Sequence, residues 1–409
     1  MAWLTTPAHA RWLEGETDRL LDFGRRSVVP GGFARQDETG EPVDGPLELW
    51  IACRMTHVYA IGHLLGRAGS SAIVDHGLDA LRGAFHDDEH GGWFAEVARD
   101  GTPVDPAKAA YPHAFVILAT SSATAAGRPG ARELLDEALA VSSRYFWDHE
   151  AGMSVEQWDR AFSVLDDYRG VNANMHTVEA YLAAADVTGD RTWLDRAVRI
   201  ISTVVHGFAA GNRWRIPEHF DARWNPDLAY NIDEPAHPFR PYGATIGHWL
   251  EWSRLTLHAR AALTARGDVA RAWMLTDATA LFDTAVAEGW DVDGAPGFVY
   301  TVDWSGKPVV RERMHWVAAE AVGAAAALHA ATGEQRFDDA YTTWWEYIGE
   351  HHLDRVGGSW WHELGTTNEV SRTVWAGKAD LYHAVQATLI PRLPLTPMIV
   401  PALAAGLLD

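Results

Sequence analysis

AVGAAAALHAATG, residues 321–333, decides the fold together with its counterpart AYLAAADVTG, residues 180–189. Each is apolar nearly all round and closes on a glycine. A helix without a polar face is a buried helix, so both stretches predict helices of an inner layer. The closing glycine recurs at Gly66, Gly127, Gly189, Gly267 and Gly333. A second landmark keeps the same beat. Phe23, Phe85, Phe146, Gly207, Trp290 and His352 each end a helix-like stretch, at steps of 62, 61, 61, 83 and 62 residues. Each closing glycine stands about 19 residues before the next such landmark, stretched to 23 in the Gly267 unit. Self-similarity at a fixed period marks a repeat architecture. Six copies of a two-helix unit predict an all-α ring of helical hairpins, with a mouth where a small molecule binds.

The first helix of each unit is expected near 8–26, 70–85, 130–147, 191–209, 269–289 and 334–352. The more apolar second helices fall near 48–65, 111–126, 173–188, 246–265, 315–331 and 379–391. Leu134, Leu135, Ala138, Leu139, Val141 and Tyr145 in a first helix show helical spacing with polar residues between, as an outer helix requires. The loops GGWFAEVARDG, GFVYTVDWSG and GSWWHELGTTNE read as short β-hairpins. The 83-residue unit holds DARWNPDLAYNIDEPAHPFRPYG (221–243), with four prolines and no period; a loop of this kind is usually functional or mobile. The Pro-broken tail PRLPLTPMIVPALAAGLLD is expected to pack across one end, with a subunit contact as the rival reading. The even repeat predicts one domain over 1–409.

Composition narrows the function. A formal charge of −21 disfavours nucleic acid and anionic membrane surfaces as partners, and polyanionic substrates too. No apolar run approaches 18 residues, so no transmembrane helix is expected. The first residues lack a basic start before an apolar stretch and do not read as a secretory signal. The lone Cys53 forbids an internal disulfide and fits a reducing cytoplasm.

Chemistry gathers in the first turns of the second helices. Arg54, His113, His176 and Glu320 lie 12 to 14 residues before their closing glycines. His248 and Glu251 lie 19 and 16 before Gly267, about a turn further out, and His383 follows Lys378 and Tyr382 in the last unit. In a closed ring these groups converge at one end. A lone histidine among 20 is more often structural; recurrence at one level is what singles the group out. His248 and Glu251, at i and i+3, share a helix face. Zinc is the rival reading, but H-E-x-x-H and a cysteine cluster are both missing, as are G-x-S-x-G, G-x-G-x-x-G and a P-loop. Trp50, Trp249, Trp316 and Trp375 sit near the same level; core is the commoner fate of tryptophan, a sugar platform the functional one. Two imidazoles in a polar cup suit proton transfer near neutral pH, which needs no cofactor.

LWIACRMTHVY (49–59), YRGVNANMHTVEAYL (168–182), GATIGHWLEWSRL (243–255), YTVDWSGKPVVRERMHW (300–316), TTWWEYI (342–348) and GKADLYH (377–383) carry a family resemblance over essentially the whole chain. The chain resembles the N-acylglucosamine 2-epimerase superfamily, and within it the bacterial aldose–ketose isomerases that act on mannose or on sulfoquinovose. The resemblance implies an (α/α)6 barrel and isomerisation through a cis-enediol without metal or nucleotide. It gives His383 the proton transfer between C2 and C1, and His248 ring opening and proton traffic at the sugar oxygens. Glu251 and Glu320 would hold these histidines by hydrogen bonds. Arg54 and His176 would bind substrate hydroxyls, with Tyr111, Asn172, Trp316 and Trp375 lining the pocket. Sulfoquinovose-type members carry a basic residue in the H-x-F-R segment and glutamines near W-W-x-E-L and G-K-x-D. This chain has Pro238, His362 and Ala379 there, so the neutral pair mannose–fructose is favoured, with lyxose–xylulose beside it. Sulfoquinovose is the alternative substrate; 2-epimerisation and glycoside hydrolysis on Glu251 and Glu320 rank below. The expected partner is a monosaccharide, in a cytoplasmic enzyme that can be oligomeric.

Overall fold

The computed structural model describes residues 3–408. Six outer helices, α1 (Pro7–Gly24), α3 (Ser70–Arg82), α5 (Ala131–Val141), α7 (Arg191–Ile201), α9 (Trp273–Gly289) and α11 (Gln335–Tyr347), alternate along the chain with six inner ones. The inner helices are α2 (Leu49–Leu64), α4 (Ala110–Ala125), α6 (Val171–Thr188), α8 (Ile246–Ala265), α10 (His315–Thr332) and α12 (Tyr382–Leu389). Inner helices pack in sequence order, and α12 returns to α2 to close the ring. Each outer helix covers the preceding inner one, and α1 covers α12. This is an (α/α)6 barrel.

Residue pattern explains the two layers. α2 buries every residue from Leu49 to Gly62, and α8 every residue from Ile246 to Ala259. α7 instead buries Trp193, Leu194, Ala197, Ile200 and Ile201, one stripe of an amphipathic helix. The five closing glycines all take left-handed backbone, with φ from +66° to +81°. That conformation ends a helix and is nearly free for glycine alone. α5, α7 and α11 run on into π turns at Ser142–Phe146, Ser202–Ala209 and Ile348–His352, so the landmarks Phe146, Gly207 and His352 lie in widened turns.

Two expectations are corrected. α12 starts at Tyr382, not near 379. Gly377 is left-handed at φ +73°, and Asp380 Oδ1 accepts from the Tyr382 N–H at 2.8 Å, so the helix is capped late. The loop fragments are also not simple local hairpins. Only Glu96–Val97 and Pro103–Asp105 form a ladder within one loop; elsewhere the local turn is a single bridge, as at Val302–Pro308 and Leu364–Val370. The main pairing runs between units. Leu47–Glu48, Lys108–Ala109, Arg169–Gly170, Ala244–Thr245 and Arg313–Met314, each just before an inner helix, pair with the loop of the next unit. The first N–H groups of an α-helix have no acceptor inside it. Here Leu49, Ala110, Val171, Ile246 and His315 donate theirs to Ala95, Glu156, Glu218, Tyr300 and His362 carbonyls. Lys378 N–H to Gln36 O completes the circle. The mouth is thereby laced by backbone.

The tail crosses the opposite end. A short helix α13 (Ile399–Ala404) lies against α2, α4 and α6. Asp186 near the end of α6 accepts from Met398 N–H at 2.7 Å, and His258 donates to Leu395 O at 2.6 Å. The apolar tail is covered by its own barrel.

Candidate active site

The inner helices all start at the laced mouth, so their first turns surround one cup. Nine of the ten site residues expected from sequence line it: Arg54, Tyr111, Asn172, His176, His248, Glu251, Trp316, Trp375 and His383. Glu320 lies just beneath, with its Oε1 3.0 Å from His383 Nδ1. Trp316 stands between the two key imidazoles, its ring centroid 5.4 Å from His248 and 5.7 Å from His383. Pro238, Phe239 and Pro241 of the 221–243 insertion also line the cup, and Phe239 meets Trp375 edge-on at 5.1 Å.

Each histidine has its own carboxylate. Glu320 accepts from His383 and, through Oε2, from Arg254 Nε at 2.8 Å. Burial pushes the Glu320 carboxyl up, but Arg254 and His383 outweigh it and hold it below its usual value. Burial lowers His383 despite Glu320. His248 Nδ1 is 3.0 Å from Glu218 Oε2, and Thr245 N–H donates to the other Glu218 oxygen at 3.4 Å. This corrects the assignment of Glu251 to His248. Shared helix face did place the two side by side, but Glu251 points to the barrel floor. Neither of its oxygens has a hydrogen-bond partner; Arg254 Nη2 is 3.6 Å away and His176 Nδ1 3.8 Å. Burial, then Glu320, raise the Glu251 carboxyl well above the ordinary range, with Arg254 opposing.

Arg54 binds Asp380 and the Tyr111 hydroxyl, each at 3.1 Å, and lies over the Trp50, Phe115 and Tyr382 rings. Burial takes His176 down to about 4, opposed by Glu179 and aided by Arg54 and His383. His315 and His362 stack at 3.8 Å; burial takes His362 to about 3 and His315 well below normal, so both rings are neutral at pH 7. Asn172 Oδ1 is buried and unpartnered.

Sequence reading also gathered residues that stay out. His113 accepts from Trp93 N–H at 3.2 Å and donates to Ala109 O at 2.8 Å, bracing a loop instead of facing the cup. Trp249 is wholly buried in the core. It missed Glu218, Tyr300, His362 and Asp380. A signal for three of them existed. Ala95, Glu156, Tyr300 and His362 stand ten residues after their landmarks and Glu218 eleven, one equivalent position in each repeat.

Two donor sets could hold a metal: His176, Glu179 and Glu251, and Glu251, Glu320 and His383, with ligand atoms within 4.8 Å. Arg254 reaches into both, bonded to Glu320 and 3.6 Å from Glu251. Its fixed charge stands where a cation would, so the donor chemistry fits an ion-paired floor better than a metal.

Fold and cup together define a small-molecule enzyme of the (α/α)6 class, with two carboxylate-backed imidazoles at its mouth. The chain belongs to the N-acylglucosamine 2-epimerase (GlcNAc 2-epimerase) family, whose profile matches residues 31–387. It is 51% identical over 405 residues to a D-mannose isomerase of Thermobifida fusca, covering 98% of each chain. It is 48% identical to a D-mannose isomerase of Pseudomonas cannabina pv. alisalensis, covering 98% of this chain and 97% of that one. A crystal structure of D-mannose isomerase superposes with a TM-score of 0.87 at 28% identity, over 94% of this chain and 98% of that one.

Proposed function

We propose that this chain interconverts D-mannose and D-fructose, and D-lyxose and D-xylulose, with residues 1–409 acting as one catalytic domain. The observation that carries the reading is the pair of imidazoles, each on its own carboxylate, facing one aromatic cup on either side of Trp316. Similarity to two D-mannose isomerases over nearly the full chain supports it.

A carboxylate can only accept, so Glu320 fixes the His383 proton on Nδ1 and leaves the Nε2 lone pair free. That lone pair takes the C2 proton of the open-chain aldose. The resulting cis-enediol receives a proton at C1 and becomes the ketose. His248, held by Glu218, opens the ring and moves protons at the sugar oxygens. Arg54, His176, Asn172 and Tyr111 bind hydroxyls, and Trp316 and Trp375 face C–H surfaces. Substrate and product differ only in proton positions, so the chemistry calls for no metal or nucleotide.

A sulfonated hexose fits less well. Arg54 is committed to Asp380, Arg240 lies over the Tyr168 ring at 3.9 Å, outside the cup, and His315 and His362 are neutral. No free cation among the described cup residues faces an anionic group. Glycoside hydrolysis is weaker still, because Glu320 lies under His383 instead of across from Glu251 in an open cleft. Purified protein with chelator present should convert mannose to fructose by NMR. A kcat/KM for sulfoquinovose far above that for mannose would reverse the assignment.

A further inference from the structure

Arg254 lies below the cup and touches none of its lining. It sits on α8, one turn past Glu251, and is completely buried. Its Nε donates to Glu320 on α10 at 2.8 Å, and Glu320 accepts from His383 on α12 at 3.0 Å. Its two Nη groups have no hydrogen-bond partner and lie toward Glu251, 3.6 Å away. Three buried carboxylates, Glu179, Glu251 and Glu320, surround this one guanidinium. A buried charge left without its partner is costly and is relieved by a change of protonation.

We propose that Arg254 is a positioning residue for the proton transfer: it holds Glu320 as an anion aimed at His383 and thereby keeps the ring's Nε2 lone pair available to substrate. The inference rests on the reading of His383 as the base. His383 is faced by Glu320 and His315 from α10, Arg54 from α2, His176 from α6, His362 from its loop, and Asp380 and Tyr382 beside it. Of these, only Glu320 bonds Nδ1, and Arg254 is the cation bonded to Glu320. Without Arg254 the Glu320–His383 pair retains one more proton. On His383, that proton gives imidazolium. On Glu320, it makes the carboxyl a donor to Nδ1, which reverses the ring's tautomer and puts the remaining proton on Nε2. Either way the lone pair is lost. The two groups titrate as a unit, and their shared protonation moves to higher pH.

Arg254→Met is therefore expected to lower kcat on mannose about 10–100-fold, the usual loss when the group orienting a working imidazole is removed. KM should change little, and the acidic limb of the pH profile should move up. Arg254→Lys, which keeps the charge, should restore part of the limb. Because Arg254 acts through Glu320, the double variant Arg254→Met/Glu320→Gln should be no slower than Glu320→Gln alone. The double variant also removes one of the carboxylates that Arg254 offsets, and so keeps the test open if Arg254→Met fails to fold. Additive losses in the double variant, or an unmoved acidic limb in a folded Arg254→Met protein, would overturn the proposal. His383→Ala is the control: if it stays active, the assignment of the base fails, whereas a dead His383→Ala with normal Arg254 variants sinks only the role of Arg254.

Discussion

Glu218, Glu251 and Glu320 are the same side chain in three electrostatic settings. Glu320 meets a guanidinium and an imidazole and is held ionised; Glu251 meets burial and another carboxylate and is held neutral. Glutamine imitates a neutral acid better than an anion. Glu251→Gln should therefore be mild at pH 7, and Glu320→Gln should cost at least about tenfold more in kcat, within the range of general acid–base groups. Equal losses in steady-state assays would show that Glu251 works as a carboxylate. Glu218→Gln should resemble Glu320→Gln, because it releases His248, and His383→Ala should be the most damaging, at about 10²–10⁴-fold. Circular dichroism would confirm that these variants fold. Sequence placed His383 over Glu320 but gave Glu218's task to Glu251. Helical spacing shows which residues share a face; it does not show which loop side chain comes down onto that face.

At the scale of elements, helix contacts set the cup's walls. Gly247, in the first turn of α8, has the Trp316 ring of α10 against it: a Cβ there would meet ring carbons at 2.3 and 2.6 Å and Val317 at 2.8 Å. The glycine is thus a close-approach site that seats Trp316 between the two imidazoles. Gly247→Ala should cost about 1–3 kcal/mol in stability by overpacking and should also lower kcat, since the ring must shift. Thermal unfolding and kinetics on one preparation would test this; a Tm loss with unchanged kcat would mean that the position of Trp316 is immaterial. Gly77→Ala makes a useful contrast. Its Cβ would meet Thr56 Oγ1 at 2.0 Å between α3 and α2, away from the cup, so stability should fall while kcat holds.

The whole molecule buries many neutral histidines. Burial lowers His57, His176, His258 and His352 to about 4, and His113 and His362 to about 3. Between about pH 6.5 and 4 the unfolded chain binds protons at these rings that the folded chain refuses. Unfolding then takes up protons, and stability falls as pH drops through that window, by up to about 1.4 kcal/mol per pH unit for each ring. Urea unfolding at pH 7 and pH 5 should differ by at least about 2 kcal/mol. Equal stabilities would mean that these rings are not held neutral by the fold.

The ring of hairpins was legible in the sequence because every unit must bury an inner helix and end it in the same left-handed turn. Apolar periodicity and the closing glycines are local requirements, and they recur wherever the unit recurs. The level of the site was legible too, since a polar residue near the start of an otherwise buried helix has few places to go except the mouth. Tertiary structure decided the rest. Which loop pairs with which helix start, and therefore that Glu218, Tyr300 and His362 enter the cup, depends on backbone groups satisfied between units 50 or more residues apart. The separate protonation states of Glu251 and Glu320 depend on one buried arginine. Burial and charge are properties of the assembled interior, so a chain read residue by residue contains their causes but not their balance.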